Sequence, residues 1–130
     1  MDRDALKSWL DAYVAAWKSY ERDAIAELFS ERAEYRYHPD DEPIRGRRAI
    51  VESWLADRDE AGTYDGHYEP FAVEGDAAVA TGTSTYYEPD GSVQCIYDNC
   101  YVMRFDPDGR CREFTEWFRK RPSGQPGTGS

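Results

Sequence analysis

The chain has 130 residues, 40% of them hydrophobic, which suits one domain with one core. Its formal net charge of −10 disfavours a phosphate backbone or an anionic membrane as partner, so we expect no binding to nucleic acid or membranes. No apolar run approaches the roughly 20 residues that span a bilayer, and the acidic start MDRDALKSW lacks the regions of a signal peptide, which predicts a cytoplasmic protein.

Two helices are predicted in the first 30 residues. Apolar residues recur at steps of three and one, which places them on one face of an α-helix. These residues are Leu6, Trp9, Leu10, Tyr13, Val14 and Trp17. Asp2 and Asp4 suit the start of this helix because carboxylates cap free N–H groups there. The spacing of Ile25, Leu28 and Phe29 predicts a second, shorter helix.

A strand and a third helix follow. The stretch AEYRYH, residues 33–38, is rich in tyrosine and stops at Pro39, which predicts a short strand. If that strand extends to its last residue, Tyr37 and His38 point to opposite faces, and at most one of them lines a pocket. After Gly46 a third helix is predicted, ending at Gly62, with an inward face formed by Ile50, Val51, Trp54 and Leu55.

From residue 63 onward the pattern alternates with a period of two. The turn signals VEGD, EPDG and DPDG divide this part into four strands joined as an antiparallel meander. Strands of ten or more residues have to twist and curl. We therefore predict an α+β fold over residues 1–121, in which three helices pack on a curved, mostly antiparallel sheet enclosing a pocket. The Gly, Pro and Ser tail, residues 122–130, is predicted to be disordered.

Three cysteines lie in strand-like sequence without a CxxC pair, which favours buried, reduced thiols over disulfides or zinc ligands. They are Cys95, Cys100 and Cys111. The acidic run Asp40, Asp41 and Glu42 lacks the spacing of a known ligand loop, so it is interpreted as a solvated loop. No metal and no cofactor are expected.

Residues 3–120 resemble the NTF2-like superfamily and, within it, the SnoaL-like and ketosteroid-isomerase-like proteins. The matching stretches are YVAAW, AIAELFSERAEY, PIRGRRAI, VEGDAAVATGTSTY and NCYVMRFDPDGRCREFTEWF. The resemblance implies a conical pocket lined by the first helix, strand one, helix three and the concave face of the sheet. It also implies a homodimer formed through the sheet.

The resemblance extends only partly to catalytic residues. Tyr13 matches the helix-one tyrosine of the isomerases' oxyanion hole. Their general-base aspartate falls on Tyr37 or His38, and their neutral aspartic acid falls on Tyr101. A steroid isomerase that uses the family's usual carboxylate base is therefore disfavoured.

The remaining chemistry-bearing residues form a different set. We predict His38, Tyr13, Glu116 and Asn99 as catalytic residues, with His38 as the base because its ordinary pKa lies near neutrality. The alternative for His38 is an exposed position at the rim. Glu116 has a raised pKa if its strand face is concave, and a structural pair with Asn99 is the alternative. The predicted substrate pocket consists of Trp17, Tyr37, Trp54, Tyr101, Met103 and Phe118.

The leading hypothesis is a small, cofactor-independent SnoaL-like enzyme. It would perform acid-base chemistry, as an isomerase, dehydratase, cyclase or hydrolase, on an apolar, oxygenated small molecule held in the pocket. The alternative is a module that binds a small apolar or aromatic ligand, or associates as a dimer, without turnover.

Overall fold

The computed structural model describes residues 1–56 and 63–122. Within these ranges three helices precede or interrupt the strands of one sheet. The helices are α1 (Arg3–Ser19), α2 (Arg22–Leu28) and α3 (Arg47–Ala56). The strands are β1 (Phe29–Arg36), β2 (Ile44–Arg45), β3 (Tyr64–Glu74), β4 (Ala77–Tyr87), β5 (Val93–Phe105) and β6 (Cys111–Lys120). Asp2 caps α1 as predicted, because its carboxylate accepts the N–H of Ala5 at 2.8 Å.

The sheet order is β2-β1-β6-β5-β4-β3. Strands β3 to β6 form the predicted antiparallel meander, and β1 joins it parallel to β6. Each hairpin turn contains a glycine at positive φ, where other residues are strained: Gly75 at 60°, Gly91 at 91° and Gly109 at 87°. The described residues thus confirm the α+β class and the three predicted turns.

One face of the sheet, the inner face, carries the helices and the core. Tyr13 of α1 lies at its centre, with ring-centroid distances of 5.4 Å to both Trp54 and Tyr101. The two halves of this face differ along β5. Toward the end of the strand Met103 and Phe105 are buried, whereas Tyr97 near its start is only half-buried. The core therefore fills one half of the inner face and leaves the other half open.

The predicted boundaries around β1 are wrong. Phe29 was expected on the second helix, but α2 ends at Leu28 and Phe29 has an extended backbone, with φ −121° and ψ 146°. It pairs with Cys111 of β6 and is fully buried, so pairing across the sheet outweighs its helical spacing. The strand was expected to reach His38 but ends at Arg36, where the chain turns with the Asp41 N–H donating to the His38 carbonyl at 3.1 Å.

The structure also differs from the sequence prediction at β2 and at two of the cysteines. The short strand β2, which pairs with Glu34 and Tyr35, was not predicted. All three cysteines are free, but only Cys111 is buried, while Cys95 and Cys100 are half-buried. The predicted end of the third helix at Gly62 lies outside the described residues, as does the predicted disordered tail beyond Pro122.

Candidate functional site

The open half of the inner face forms a cleft of about 650 Å³. Its walls come from the end of α1, the chain just after β1, one side of α3, and the inner face of strands β4, β5 and β6. Fourteen described residues line it: Trp17, Tyr37, His38, Asp41, Ser53, Trp54, Ser84, Tyr86, Gln94, Cys95, Tyr97, Asn99, Glu116 and Phe118.

The structure brings most of the predicted site residues together. Seven of the ten line the cleft, although one of them, Trp54, is fully buried beneath its surface: Trp17, Tyr37, His38, Trp54, Asn99, Glu116 and Phe118. The other three, Tyr13, Tyr101 and Met103, are outside its lining and lie in the core with exposed fractions of 3%, 2% and 1%. Burial raises the pKa of Tyr13 well above its usual value, and the neighbouring Tyr101 and Tyr35 add to this effect. Tyr13 therefore packs in the core and does not reach the cleft.

Tyr37 and His38 both line the cleft, contrary to the expectation that at most one of them would. The expectation required a strand through residue 38, and strict alternation of side chains ends with β1 at Arg36. The Tyr37 hydroxyl lies 3.0 Å from the Ser53 hydroxyl of α3, and the His38 ring lies 5.1 Å from the Phe118 ring. A histidine and a carboxyl thus line one cleft, and His38 is exposed at its rim, the position given above as the alternative to catalysis.

A row of polar side chains crosses four strands and ends at Glu116. The Tyr64 and Tyr68 hydroxyls on β3 are 2.7 Å apart, and the Tyr68 hydroxyl is 2.5 Å from the Ser84 hydroxyl on β4. Ser84 donates to Asn99 Oδ1 on β5 at 2.8 Å, and Asn99 Nδ2 donates to Glu116 Oε2 on β6 at 2.8 Å. We call these five residues the polar row.

The donors of the polar row all point in one direction. The Ser84 hydroxyl has one proton, which it gives to Asn99, so it accepts from Tyr68, and Tyr68 in turn accepts from Tyr64. Because Asn99 Oδ1 is occupied by Ser84, its amide group must present N–H to Glu116. The row therefore fixes the side-chain orientation of Asn99, which a lone asparagine would not have.

Gly66 makes room for the row on β3. A Cβ at this position would lie 2.3 Å from the Tyr64 hydroxyl oxygen and 2.8 Å from the Tyr68 hydroxyl oxygen. Those distances are too short for any side chain, so the two hydroxyls can meet only above a glycine. Gly66 is therefore required for the hydrogen bond between the Tyr64 and Tyr68 hydroxyls, although it has no side chain of its own.

Glu116 has the most informative electrostatics of the cleft. Burial raises the pKa of its carboxyl from 4.5 to about 7, and the hydrogen bond from Asn99 opposes part of that rise. Near neutral pH the group is thus divided between its acid and base forms, as an exchanger of protons needs to be. Burial also raises the pKa of Tyr68, a change that its hydrogen bond with Ser84 opposes.

Comparison with known proteins assigns the chain to a family. Residues 10–114 match the sequence profile of the SnoaL-like domain family. The chain belongs to this family. No match was found among curated protein sequences.

Solved structures share the fold of this SnoaL-like domain. An NTF-2 like protein of unknown function from Burkholderia xenovorans LB400 is 17% identical, with a TM-score of 0.69, 96% of this chain covered and 90% of that one. An NTF2-like protein of unknown function from Cytophaga hutchinsonii ATCC 33406 is 13% identical, with a TM-score of 0.63, 86% of this chain covered and 97% of that one. At these identities the likeness is one of fold alone.

Sequence reasoning missed half of the lining of this SnoaL-like domain. The residues missed are Asp41, Ser53, Ser84, Tyr86, Gln94, Cys95 and Tyr97. Two signals were present. The alternation that groups Asn99 on one strand face also groups Cys95 and Tyr97 with it, and glycines inside strands, such as Gly66, mark positions where other groups approach closely.

The described residues contain neither a candidate metal site nor a candidate membrane-spanning helix. Among the described residues, no group of three or more His, Cys, Asp or Glu side chains is arranged to bind a metal ion. Within the same ranges no helix has both the length and the apolar character to cross a membrane.

Proposed function

We propose that the cleft binds an apolar, oxygenated small molecule and carries out acid-base chemistry on it without a cofactor. The observation that supports this most is the Glu116 carboxyl, which lines the cleft and has a pKa of about 7. In an isomerisation, for example, it would take a proton from a carbon next to a carbonyl and return it to another carbon, with no net change in protons.

Other groups of the cleft have supporting roles in this proposal. His38 provides a second proton acceptor or donor, and the hydroxyls of Tyr37 and Ser53 offer hydrogen bonds to a ligand oxygen. The hydrogen bond from Asn99 orients the Glu116 carboxyl. Pairing of Asn99 with Glu116 would favour a purely structural role if no space adjoined them, but both side chains line the cleft.

The alternative is a SnoaL-like module that binds a ligand without turnover. The aromatic lining favours it, because six of the lining residues are Trp, Tyr or Phe, and such surfaces bind apolar molecules without chemistry. The two functions differ in the fate of the bound ligand, since only an enzyme releases a changed molecule.

The cysteines allow a test with an internal control. Cys95 lines the cleft, whereas Cys100 lies on the opposite face of the same strand. Oxygenated aromatic and alicyclic compounds that raise the melting temperature are tested for protection of Cys95 against a thiol reagent, and the labelling rate of each cysteine is compared with and without the compound. A slower rate at Cys95 with no change at Cys100 is expected, and an unchanged rate at Cys95 would refute binding in the cleft.

Turnover is then followed by mass spectrometry on the compounds that protect Cys95. The enzyme proposal predicts a product whose formation falls at least about a hundredfold in Glu116→Gln, because general acid-base groups contribute 10²–10⁴-fold. Glu113→Gln is the matched control, since Glu113 is exposed on the same strand and outside the cleft. Binding without product from any compound supports the module instead.

Homodimerisation through the outer face of the sheet is a second proposal. Trp117 and Val102 lie on that face on the adjacent strands β6 and β5 with exposed fractions of 52% and 44%, and neighbouring apolar side chains that are exposed together can mark a contact surface. Light scattering at micromolar concentration should give the dimer mass and a lower mass for Trp117→Ser. Val93→Ser removes an exposed apolar side chain elsewhere and should leave the dimer intact. A monomer mass for the wild-type chain would contradict the proposal.

A further inference from the structure

The carboxyl groups that line the cleft have no lysine or arginine beside them in the described lining. Two of its described lining residues, Asp41 and Glu116, carry carboxyl groups, and none of them is a lysine or an arginine. The whole chain adds a formal net charge of −10. An anionic ligand would therefore meet repulsion at the cleft and no lysine or arginine in its described lining, since Lys120, opposite Tyr97 on the same face, lies outside that lining.

Among the half-buried acidic residues that the structure describes, Glu116 is the one without a cationic partner. Asp98 pairs with Arg121 at 2.8 Å, Asp65 pairs with Lys18 at 2.8 Å, and Asp76 pairs with Arg112. Within residues 1–56 and 63–122 no Lys, Arg or His nitrogen lies within ion-pair distance of Glu116, although it is better buried than these three. A buried carboxylate without a counter-charge is costly, and a bound cation would remove that cost.

The aromatic lining suits a cation as well. Trp17 packs on the fully buried Trp54 with a ring-centroid distance of 4.6 Å, and Tyr97 contacts Tyr86 at 5.8 Å and Phe118 at 5.4 Å. The faces of such rings are electron-rich and attract ammonium groups, most strongly where water is partly excluded. Rings combined with a carboxylate form a setting in which charge and apolar contact favour the same ligand.

We infer that the cleft selects ligands that carry an ammonium group on an apolar body, with Glu116 as the counter-ion and the aromatic side chains as the surrounding wall. The inference rests on the proposed function only in that it uses the same cleft as the ligand site. It names a substrate class and does not depend on turnover.

Three probes of nearly equal shape test the inference. Choline and 3,3-dimethylbutan-1-ol differ only in the exchange of a charged nitrogen for carbon, and 3,3-dimethylbutanoate carries the opposite charge. Affinities are measured by calorimetry and by protection of Cys95, at about pH 8 so that Glu116 is ionised. We expect choline to bind at least about tenfold more tightly than the alcohol, and the carboxylate to bind most weakly.

Three variants then test which side chains cause the preference for choline over the alcohol. Glu116→Gln keeps the shape of the side chain and an acceptor for Asn99, and it should bring choline and the alcohol to within about threefold of each other. Glu113→Gln removes the same negative charge from an exposed site and should leave the preference unchanged. Tyr97→Leu keeps an apolar wall without a ring and should weaken choline about three- to tenfold but not the alcohol.

The comparison of probes on the wild-type chain decides the inference even if a variant fails to fold. Equal affinity for choline and the alcohol, or no binding of choline, overturns it. A preference that Glu113→Gln reduces as much as Glu116→Gln does also overturns it, because it would arise from the general field of the protein. If choline is preferred at Cys95 while no compound is ever converted, the cation site stands and the proposed chemistry fails. If only uncharged compounds bind and are converted, the chemistry stands and this inference fails.

Discussion

Replacement of Glu116 by glutamine has a consequence for stability that can be worked out from its pKa. Burial raises that pKa from 4.5 to about 7. Below pH 4.5 the carboxyl is protonated in both the folded and the unfolded chain, so its ionisation has no effect on stability. Between pH 4.5 and about pH 7 the unfolded chain releases the proton while the folded chain keeps it, so the free energy of unfolding falls as the pH rises. A pKa difference of about 2.5, at 1.36 kcal/mol per pKa unit, makes the full loss about 3 kcal/mol above pH 7.

The measurement is urea denaturation of the wild-type chain and Glu116→Gln from about pH 4 to about pH 8.5. The difference between their free energies of unfolding isolates the carboxyl, because contributions of the other acidic residues cancel. We expect this difference to move by about 3 kcal/mol in favour of the variant as the pH rises. Glu113→Gln, which removes an exposed carboxylate from the same strand, is the control. A difference curve for Glu116→Gln that stays level within about 0.5 kcal/mol would refute a raised pKa in the cleft.

Two substitutions should interrupt the polar row. Ser84→Ala removes the donor to Asn99 Oδ1 and frees the amide to turn its oxygen toward Glu116, so we expect a loss of about 1–3 kcal/mol and a higher Glu116 pKa, measured by carbon-13 NMR titration. Gly66→Ala places a methyl group 2.3 Å from the Tyr64 hydroxyl oxygen, so we expect about 1–3 kcal/mol of destabilisation, seen as a lower melting temperature.

Each of these substitutions has a matched control in the chain. Ser53→Ala removes another hydroxyl from the cleft that is bonded to Tyr37 and not to the row, so the Glu116 titration should stay in place. Combining Gly66→Ala with Tyr64→Phe removes the atom that the methyl group would strike, so the pair should cost less than the sum of the single changes. Strict additivity of the two, or an unchanged Glu116 titration in Ser84→Ala, would contradict the geometry of the row.

The fold could be predicted where one local signal decides the outcome. The alternation of residues from Val93 to Phe105 and the glycine turns defined the meander because each depends only on neighbours in the chain. Phe29 was misjudged because its helical spacing competes with pairing to Cys111, more than 80 residues away. The end of β1 was misjudged for a related reason, since a turn after Arg36 leaves little trace in a stretch with so many tyrosines.

The site could be predicted strand by strand but not across strands. Side-chain alternation assigned Asn99 and Glu116 each to one face of its strand but left open which face is concave, and their pairing was among the alternatives considered. Ser84 and Tyr68 were missed because their roles depend on which residues of β3, β4 and β5 lie opposite one another. That register is a property of the assembled sheet. A tyrosine such as Tyr13, matched by resemblance alone, turned out to be packed in the core.

The cost of Glu116 argues for function rather than structure at this end of the sheet. An uncharged side chain of similar shape would avoid a penalty of about 3 kcal/mol at neutral pH, a large share of the stability of a domain of this size. A structural carboxylate normally offsets such a penalty with a cation, as Asp98 does with Arg121, and Glu116 has no such partner among the described residues. Four other residues are instead arranged to hold one N–H donor toward it, and it lies beside open space. An unfavourable charge that the fold orients and leaves accessible is what a site for proton exchange or cation binding requires.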